Sequence, residues 1–335
     1  KASAPEKPFF CYFAPPAVHA PHHAPEEWIE KFSGNFDGGW DKLREHIYSR
    51  QIELGIIPPD TQLTSRPDEI PSWDSYPERY KPVAARLMEV FAGFLAHTDA
   101  QVDRILDAID EIGCTDDTFI IYITGDNGAS AEGTINGAWS APSFQNGVHE
   151  DPEWLLEHID DFGTRHCENH FNVGWAWALD TPFKWMKQVA SHFGGTRNAM
   201  VMSWPAGIHQ SDELRNQFHH VIDIGPTILE AAGIEWPDSV NGIKQDPIDG
   251  VSMQYLFDNP SEKSHRQTQY FEILGNRAIY HEGWIASCFH GRLPWIRLQG
   301  LEFDGDQEIW ELYHVENDFS QSNDLAEFEP ERLLD

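Results

Sequence analysis

The chain has 335 residues, 40% hydrophobic and 13% aromatic, enough for a sizeable core and for two domains or one large domain beside a small one. Its 23 Lys+Arg against 55 Asp+Glu give a formal net charge of −32. That repels phosphate backbones and anionic lipid, so nucleic acid and membrane surfaces are not expected partners, and an anionic substrate needs local positive charge in its site. No apolar run approaches the roughly 20 residues of a membrane helix.

Residues 1–7 lack the apolar core of an export signal, which leaves a cytoplasmic or a periplasmic location open. They lead directly into Pro8-Phe9-Phe10-Cys11-Tyr12-Phe13, an apolar and aromatic run of strand type. An opening this abrupt reads as the middle of a longer chain. A Pro/His-rich loop follows at 14–25, then a mixed helical region ending at Leu54-Gly55-Ile56-Ile57-Pro58-Pro59, then a polar loop at 60–80. Over 82–112, Val83, Leu87, Val90, Phe94, Val102, Ile105 and Ile109 recur mostly at three- and four-residue steps, which predicts a long amphipathic helix ended by Gly113.

Asp117-Thr118-Phe119-Ile120-Ile121-Tyr122-Ile123-Thr124 is a continuous β-branched and aromatic run, as in a strand buried on both faces of a parallel sheet. Residues 129–180 are irregular and too long for a plain connection, which suggests a functional loop or cap. Ala199-Met200-Val201-Met202-Ser203-Trp204 predicts a second buried strand, and 222–232 a helix with Pro226 near its first turn and Gly233 as its cap. Strand and helix alternate as in an α/β layered fold. Beyond about residue 262, four short strand-like runs beginning at Tyr270, Arg277, Trp284 and Trp310 predict a small antiparallel sheet with a terminal helix. The expected units are therefore 1–262 and 263–335.

Several groups could carry chemistry. Asp126 and Asn127 sit where a strand ends, the usual place for ligand sites in open α/β sheets, and offer hard oxygens suited to Ca²⁺ or Mg²⁺; on pattern alone a plain strand-end turn is the favoured explanation. His19, His22 and His23 could bind zinc, act as acid or base, or simply lie in a loop. His166-Cys167-Glu168-Asn169-His170 has too few nearby ligands for zinc and suggests packing. Lys184 and Lys187 lie among aromatics, where a Lys can hold an oxyanion or snorkel to solvent. Gly194-Gly195-Thr196-Arg197 could approach an anion or turn the chain. Trp175, Trp177 and Trp185 could line a pocket or fill a core. The four cysteines are far apart, which favours buried free thiols.

Taken in order, these segments resemble the C-terminal two-thirds of the type I sulfatases, the arylsulfatase family of the alkaline-phosphatase superfamily. The resemblance runs from Phe13-Ala14-Pro15, His19 and Ala24-Pro25 through Gly125-Asp126-Asn127-Gly128, Gly174-Trp175-Ala176-Trp177-Ala178 and Gly194-Gly195-Thr196-Arg197. It continues through Ser203-Trp204-Pro205-Ala206-Gly207-Ile208 and 221–229 to Trp310-Glu311-Leu312-Tyr313. It implies an alkaline-phosphatase-like α/β/α sandwich lacking its N-terminal segment, plus a small antiparallel C-terminal subdomain. The implied activity is sulfuric ester hydrolysis on a small-molecule or carbohydrate sulfate ester. Asp126 and Asn127 would be two ligands of a Ca²⁺ that clamps the sulfate, His19 would stand beside the leaving-group oxygen, and Lys187, with Lys184 as the alternative, would contact the sulfate. The family's formylglycine nucleophile arises from Cys/Ser-x-Pro-x-Arg, a pattern that does not occur in these 335 residues. The expectation is therefore a fragment that binds metal weakly, turns over no substrate and self-associates through an uncovered strand edge. A phosphodiesterase or phosphonate monoester hydrolase of the same superfamily, or an inert binding module, are the alternatives.

Overall fold

The computed structural model describes residues 4, 6–210, 213–296 and 308–334. Residues 1–3 and 5 of the opening segment, and 297–307 and 335 of the expected C-terminal unit, lie outside the described residues.

The aromatic run at 8–13 is extended but joins no strand, and Phe10 and Tyr12 are 74% and 83% exposed. The strand expected there is not formed among the described residues, because strand propensity needs a neighbouring edge to satisfy its backbone groups. Cys11 in this run is exposed too, so only Cys167 and Cys288 are buried thiols; all four cysteines are free.

Helix α1 (Gly39–Glu53) and helix α2 (Lys81–Glu111) frame the core. Pro82 opens α2 and Gly113, at φ 66°, follows its end, both as the sequence predicts. Buried positions of α2 run from Val83 to Gly93, whereas Leu95 and Leu106 farther along are exposed. Only the first half of its apolar face is therefore covered.

Strand β1 (Ile120–Thr124) follows. Residues 129–180 are not a loose cap: Ala131, Phe144, Leu155, Phe162 and Phe171 are buried in the main core, around short helices Ala141–Gln145 and Pro152–Glu157. Helix α3 (Val173–Leu179) closes this stretch and buries Trp175 and Trp177. Trp40 meets Trp73, Tyr76 and Trp175 edge-on at centroid distances of 4.7, 5.2 and 5.5 Å. Trp185 stacks on Phe289 at 4.3 Å. Trp175, Trp177 and Trp185 are thus core rather than pocket lining.

One buried cation organises the chain that leads to the site. Arg44 of α1 is 1% exposed and donates to the carbonyls of Trp177, Pro182 and Phe183 at 2.8, 3.0 and 2.9 Å, and to Thr64 Oγ1 at 2.8 Å. The guanidinium fork satisfies carbonyls that no regular element pairs.

Strand β2 (Ala199–Ser203) pairs antiparallel with β1, Ile120 opposite Ser203 and Thr124 opposite Ala199. The expectation of strands buried in a parallel sheet is corrected: among the described residues the pair forms an antiparallel two-stranded sheet by itself, and Val201 is 61% exposed. A continuous apolar run is compatible with burial on both faces, but the covering elements must come from elsewhere in the fold. Helix α4 (Ile224–Ala231) follows, with Gly233 at φ 65° after its end.

The C-terminal region forms the expected antiparallel meander: β3 (Thr268–Ile273), β4 (Asn276–His281), β5 (Trp284–Cys288) and β6 (Trp310–His314), in that order. Two two-residue turns fix its register. Leu274-Gly275 and Glu282-Gly283 are left-handed at both positions, with φ of 54° and 83°, then 42° and 86°. Such turns match the twist of paired strands and bring Ile273 opposite Asn276 and His281 opposite Trp284. A short helix, Pro330–Leu334, ends the described chain.

Candidate functional site

Gly125, at φ 81°, turns the chain at the end of β1 and presents Asp126 and Asn127 to an open cleft. Asp126 is exposed and Asn127 half-buried. The carboxamide of Asn198, one residue before β2, donates to Asn127 O and accepts from Asn127 N, both at 3.1 Å. This reciprocal pair fixes the Asn127 backbone beside the end of the β1–β2 pair. Gly128 then meets the chain around Gly194 directly: its N–H donates to Gly195 O at 3.1 Å, and a Cβ on Gly128 would lie 1.8 Å from Gly194 O. Gly194 and Gly195 therefore serve close backbone packing, and Arg197 stacks over Phe319 at 4.0 Å.

The same packing locates Lys187, whose N–H donates to Ala129 O at 3.2 Å. Its Nζ reaches His19 Nε2 at 3.3 Å. His19 Nδ1 lies 2.8 Å from Ala20 O, and since a carbonyl only accepts, the proton is on Nδ1. The Nε2 lone pair then faces the Lys187 ammonium. Lys184 points the other way, to Glu311 Oε1 at 3.4 Å, while His192 Nε2 lies 2.9 Å from Glu311 Oε2. Burial would raise the Glu311 carboxyl, but His192 and Lys184 bring it down to about 2. Of the two lysines, Lys187 is the one in the cleft beside His19. All four expected site residues, His19, Asp126, Asn127 and Lys187, line this one cleft.

A second histidine pair sits behind the first. His22 and His170 are buried with ring centroids 5.0 Å apart, and His170 Nδ1 donates to Phe171 O at 3.0 Å. Burial lowers His170 to about 4 against the opposing effect of its bond to Phe171, and the Lys187 charge adds to the lowering; burial also lowers His22. Both are therefore neutral near pH 7. His23 Nε2 contacts Cys167 O at 2.6 Å, so the two His-rich segments pack together. No group of three or more His, Cys, Asp or Glu among the described residues is placed to hold a metal. The chemistry of Asp126 and Asn127 suits a hard cation, but the pair supplies fewer than the 6–8 oxygens that Ca²⁺ takes. The sequence did not single out Asn198 or Gln188; polar residues flanking a glycine turn and a candidate lysine were the available signals.

The Sulfatase family model matches residues 1–234, and the model "N-sulphoglucosamine sulphohydrolase, C-terminal" matches residues 183–332. An uncharacterized sulfatase of Schizosaccharomyces pombe is 28% identical over 336 residues, covering 97% of this chain and 55% of the relative. An arylsulfatase of Klebsiella aerogenes is 27% identical over 270 residues, covering 80% of this chain and 55% of the relative. The chain thus spans about half the length of the curated relatives it matches. Among solved structures, Ps i-CgsB in complex with k-i-k-neocarrahexaose has a TM-score of 0.52 at 18% identity, covering 99% of this chain and 49% of that one. The "putative sulfatase yidJ" from Bacteroides fragilis also has a TM-score of 0.52, at 15% identity, covering 96% of this chain and 50% of that one. These likenesses bear out the alkaline-phosphatase-like α/β fold class. A family model that takes in well over half of these residues, and in them the loops that carry His19, Asp126, Asn127 and Lys187, establishes that the chain belongs to the type I sulfatase family.

Proposed function

We propose that this chain supplies the leaving-group side and part of the metal site of a sulfuric ester hydrolase acting on a small-molecule or carbohydrate sulfate ester. The observation that carries the reading is the His19–Lys187 pair, 3.3 Å apart, on the cleft that also holds Asp126 and Asn127. In a chain of net charge −32, the Lys187 ammonium gives a sulfate ester local positive charge to bind. Asp126 and Asn127 would hold part of the coordination shell of Ca²⁺. Bound there, Ca²⁺ supplies charge that polarises the sulfonyl oxygens. The Nδ1–H bond to Ala20 aims His19 Nε2 into the cleft, and the proton shared by Nε2 and Lys187 Nζ is at hand for the departing alkoxide. His22 and His170, neutral behind them, add no competing charge.

A formylglycine nucleophile needs Cys/Ser-x-Pro-x-Arg, so turnover is assayed in a protein that contains that motif together with this chain; the chain alone is expected to be inactive. The unit boundary near residue 262 stands as part of this proposal. The test is His19→Ala and Lys187→Ala on alkyl and nitrophenyl sulfates and on the matched phosphate esters. Acid assistance is worth about 10²–10⁴-fold, and the need for it shrinks with a good leaving group, so alkyl sulfates should lose far more rate than nitrophenyl sulfates. Equal losses on both would refute the leaving-group role, and faster turnover of phosphate esters would move the assignment to phosphodiester or phosphonate hydrolysis. Asp126→Ala should abolish turnover and weaken Ca²⁺ binding by calorimetry while leaving thermal unfolding nearly unchanged; unaltered Ca²⁺ affinity would remove Asp126 from the metal site.

A further inference from the structure

Lys187 is held by an unusual piece of backbone. Trp185 and Gln188 on either side of it are left-handed, at φ 68° and 75°. Non-glycine residues keep such angles only where the surroundings fix them. At Gln188 the surroundings are polar and come from two parts of the fold. Its Nε2 donates to Glu132 Oε1 at 2.9 Å, on the segment that follows Asp126 and Asn127. Its Oε1 accepts from Arg292 Nη1 at 2.9 Å. Its backbone carbonyl accepts from Asn276 Nδ2 at 2.9 Å, the first residue of β4, whose Oδ1 in turn accepts from His290 N at 2.9 Å. Arg292 and Asn276 are both buried.

We propose that Gln188 is a positioning residue for Lys187, through which the C-terminal sheet sets where the lysine ammonium stands in the cleft. The proposal rests on the reading that Lys187 contacts the sulfate and its leaving group. A carboxamide suits this place because it donates to a carboxylate on one side and accepts from a guanidinium on the other; neither a carboxylate nor an apolar side chain does both. Among the described residues Lys187 itself is anchored by its N–H on Ala129 and its Nζ on His19, so the backbone angle at Gln188 governs the direction of its stem. The C-terminal sheet thereby contributes to the site without touching substrate.

The test uses the full protein carrying its nucleophile and Ca²⁺. Gln188→Ala should lower kcat on alkyl sulfates on the order of 10–100-fold, as a misplacement of about 1 Å does, with a much smaller loss on nitrophenyl sulfates. It should also weaken binding of inorganic sulfate by calorimetry. Gln188→Glu sets two carboxylates against each other and should be worse. Gln188→Glu combined with Glu132→Gln restores a donor facing an acceptor and keeps a partner for Arg292, so it should recover most of the rate. A general folding defect would slow both ester types alike and gain nothing from the second change, which would overturn the proposal. So would a Gln188→Ala enzyme with unchanged kcat on alkyl sulfates when Lys187→Ala is impaired. A Lys187→Ala enzyme as active as the parent would instead refute the underlying reading of Lys187, and the proposal with it.

Discussion

Replacing His170 with phenylalanine should change the pH dependence of stability by an amount that the structure sets. The ring is 1% exposed, packs against His22 and Phe171, and is held near a pKa of about 4 by burial. In the unfolded chain an imidazole titrates near 6.5. Between these values the unfolded state takes up a proton that the folded state refuses, so folding stability is full above about pH 6.5 and falls as pH drops toward 4. Linkage for one such group gives a loss of about 2.5 kcal/mol between pH 7.5 and pH 4.5. His170→Phe removes the titrating group from both states and keeps a ring of similar width. Urea unfolding of parent and variant, followed by tryptophan fluorescence at pH 7.5, 6.5, 5.5 and 4.5, isolates the term as a difference, because His22 and the carboxylates titrate in both proteins. Whatever the offset at pH 7.5, the variant should gain about 2.5 kcal/mol on the parent by pH 4.5. Parallel curves would mean that folded His170 accepts a proton freely and is not the neutral group behind His19 and Lys187.

Other outcomes follow from single contacts. Arg44→Met should destabilise the fold by about 3 kcal/mol or more, since it strands several buried carbonyls at once; thermal and urea unfolding would measure it, and a loss below about 1 kcal/mol would contradict the role given to this cation. Gly128→Ala puts a Cβ 1.8 Å from Gly194 O, and backbone on both sides cannot yield as a side chain can. It should cost about 1–3 kcal/mol and impair Ca²⁺ affinity together with turnover of the full protein; unchanged affinity would separate the Asp126 turn from the lysine loop. Phe10, Tyr12, Leu106, Val201 and Trp236 are all exposed along the same long, open cleft that carries His19 and Lys187. The 335-residue chain should therefore sediment as dimers or larger species at micromolar concentration, and a well-behaved monomer would show that this surface is tolerated in water.

The local signals and the family pattern were legible from residues alone. The three- and four-residue spacing over 82–112, with Pro82 before it and Gly113 after it, dictates a helix because those residues set backbone angles wherever the chain goes. The four short strand-like runs beginning at Tyr270, Arg277, Trp284 and Trp310 likewise announced the meander, whose left-handed turns only the structure showed. The resemblance named His19, Lys187, Asp126 and Asn127, which the fold gathers on one cleft. What the sequence left open depended on distant partners. Apolar runs at 8–13, 120–124 and 199–203 look alike, yet one pairs with nothing described and the other two pair antiparallel with an exposed face. Strand pairing and burial are properties of the neighbours, not of the run itself. The choice between Lys184 and Lys187 was equally hidden. Three residues apart among aromatics, they are chemically alike, and only the left-handed backbone at Trp185 and Gln188, with Glu311 on one side and His19 on the other, sends one to the C-terminal sheet and the other to the cleft.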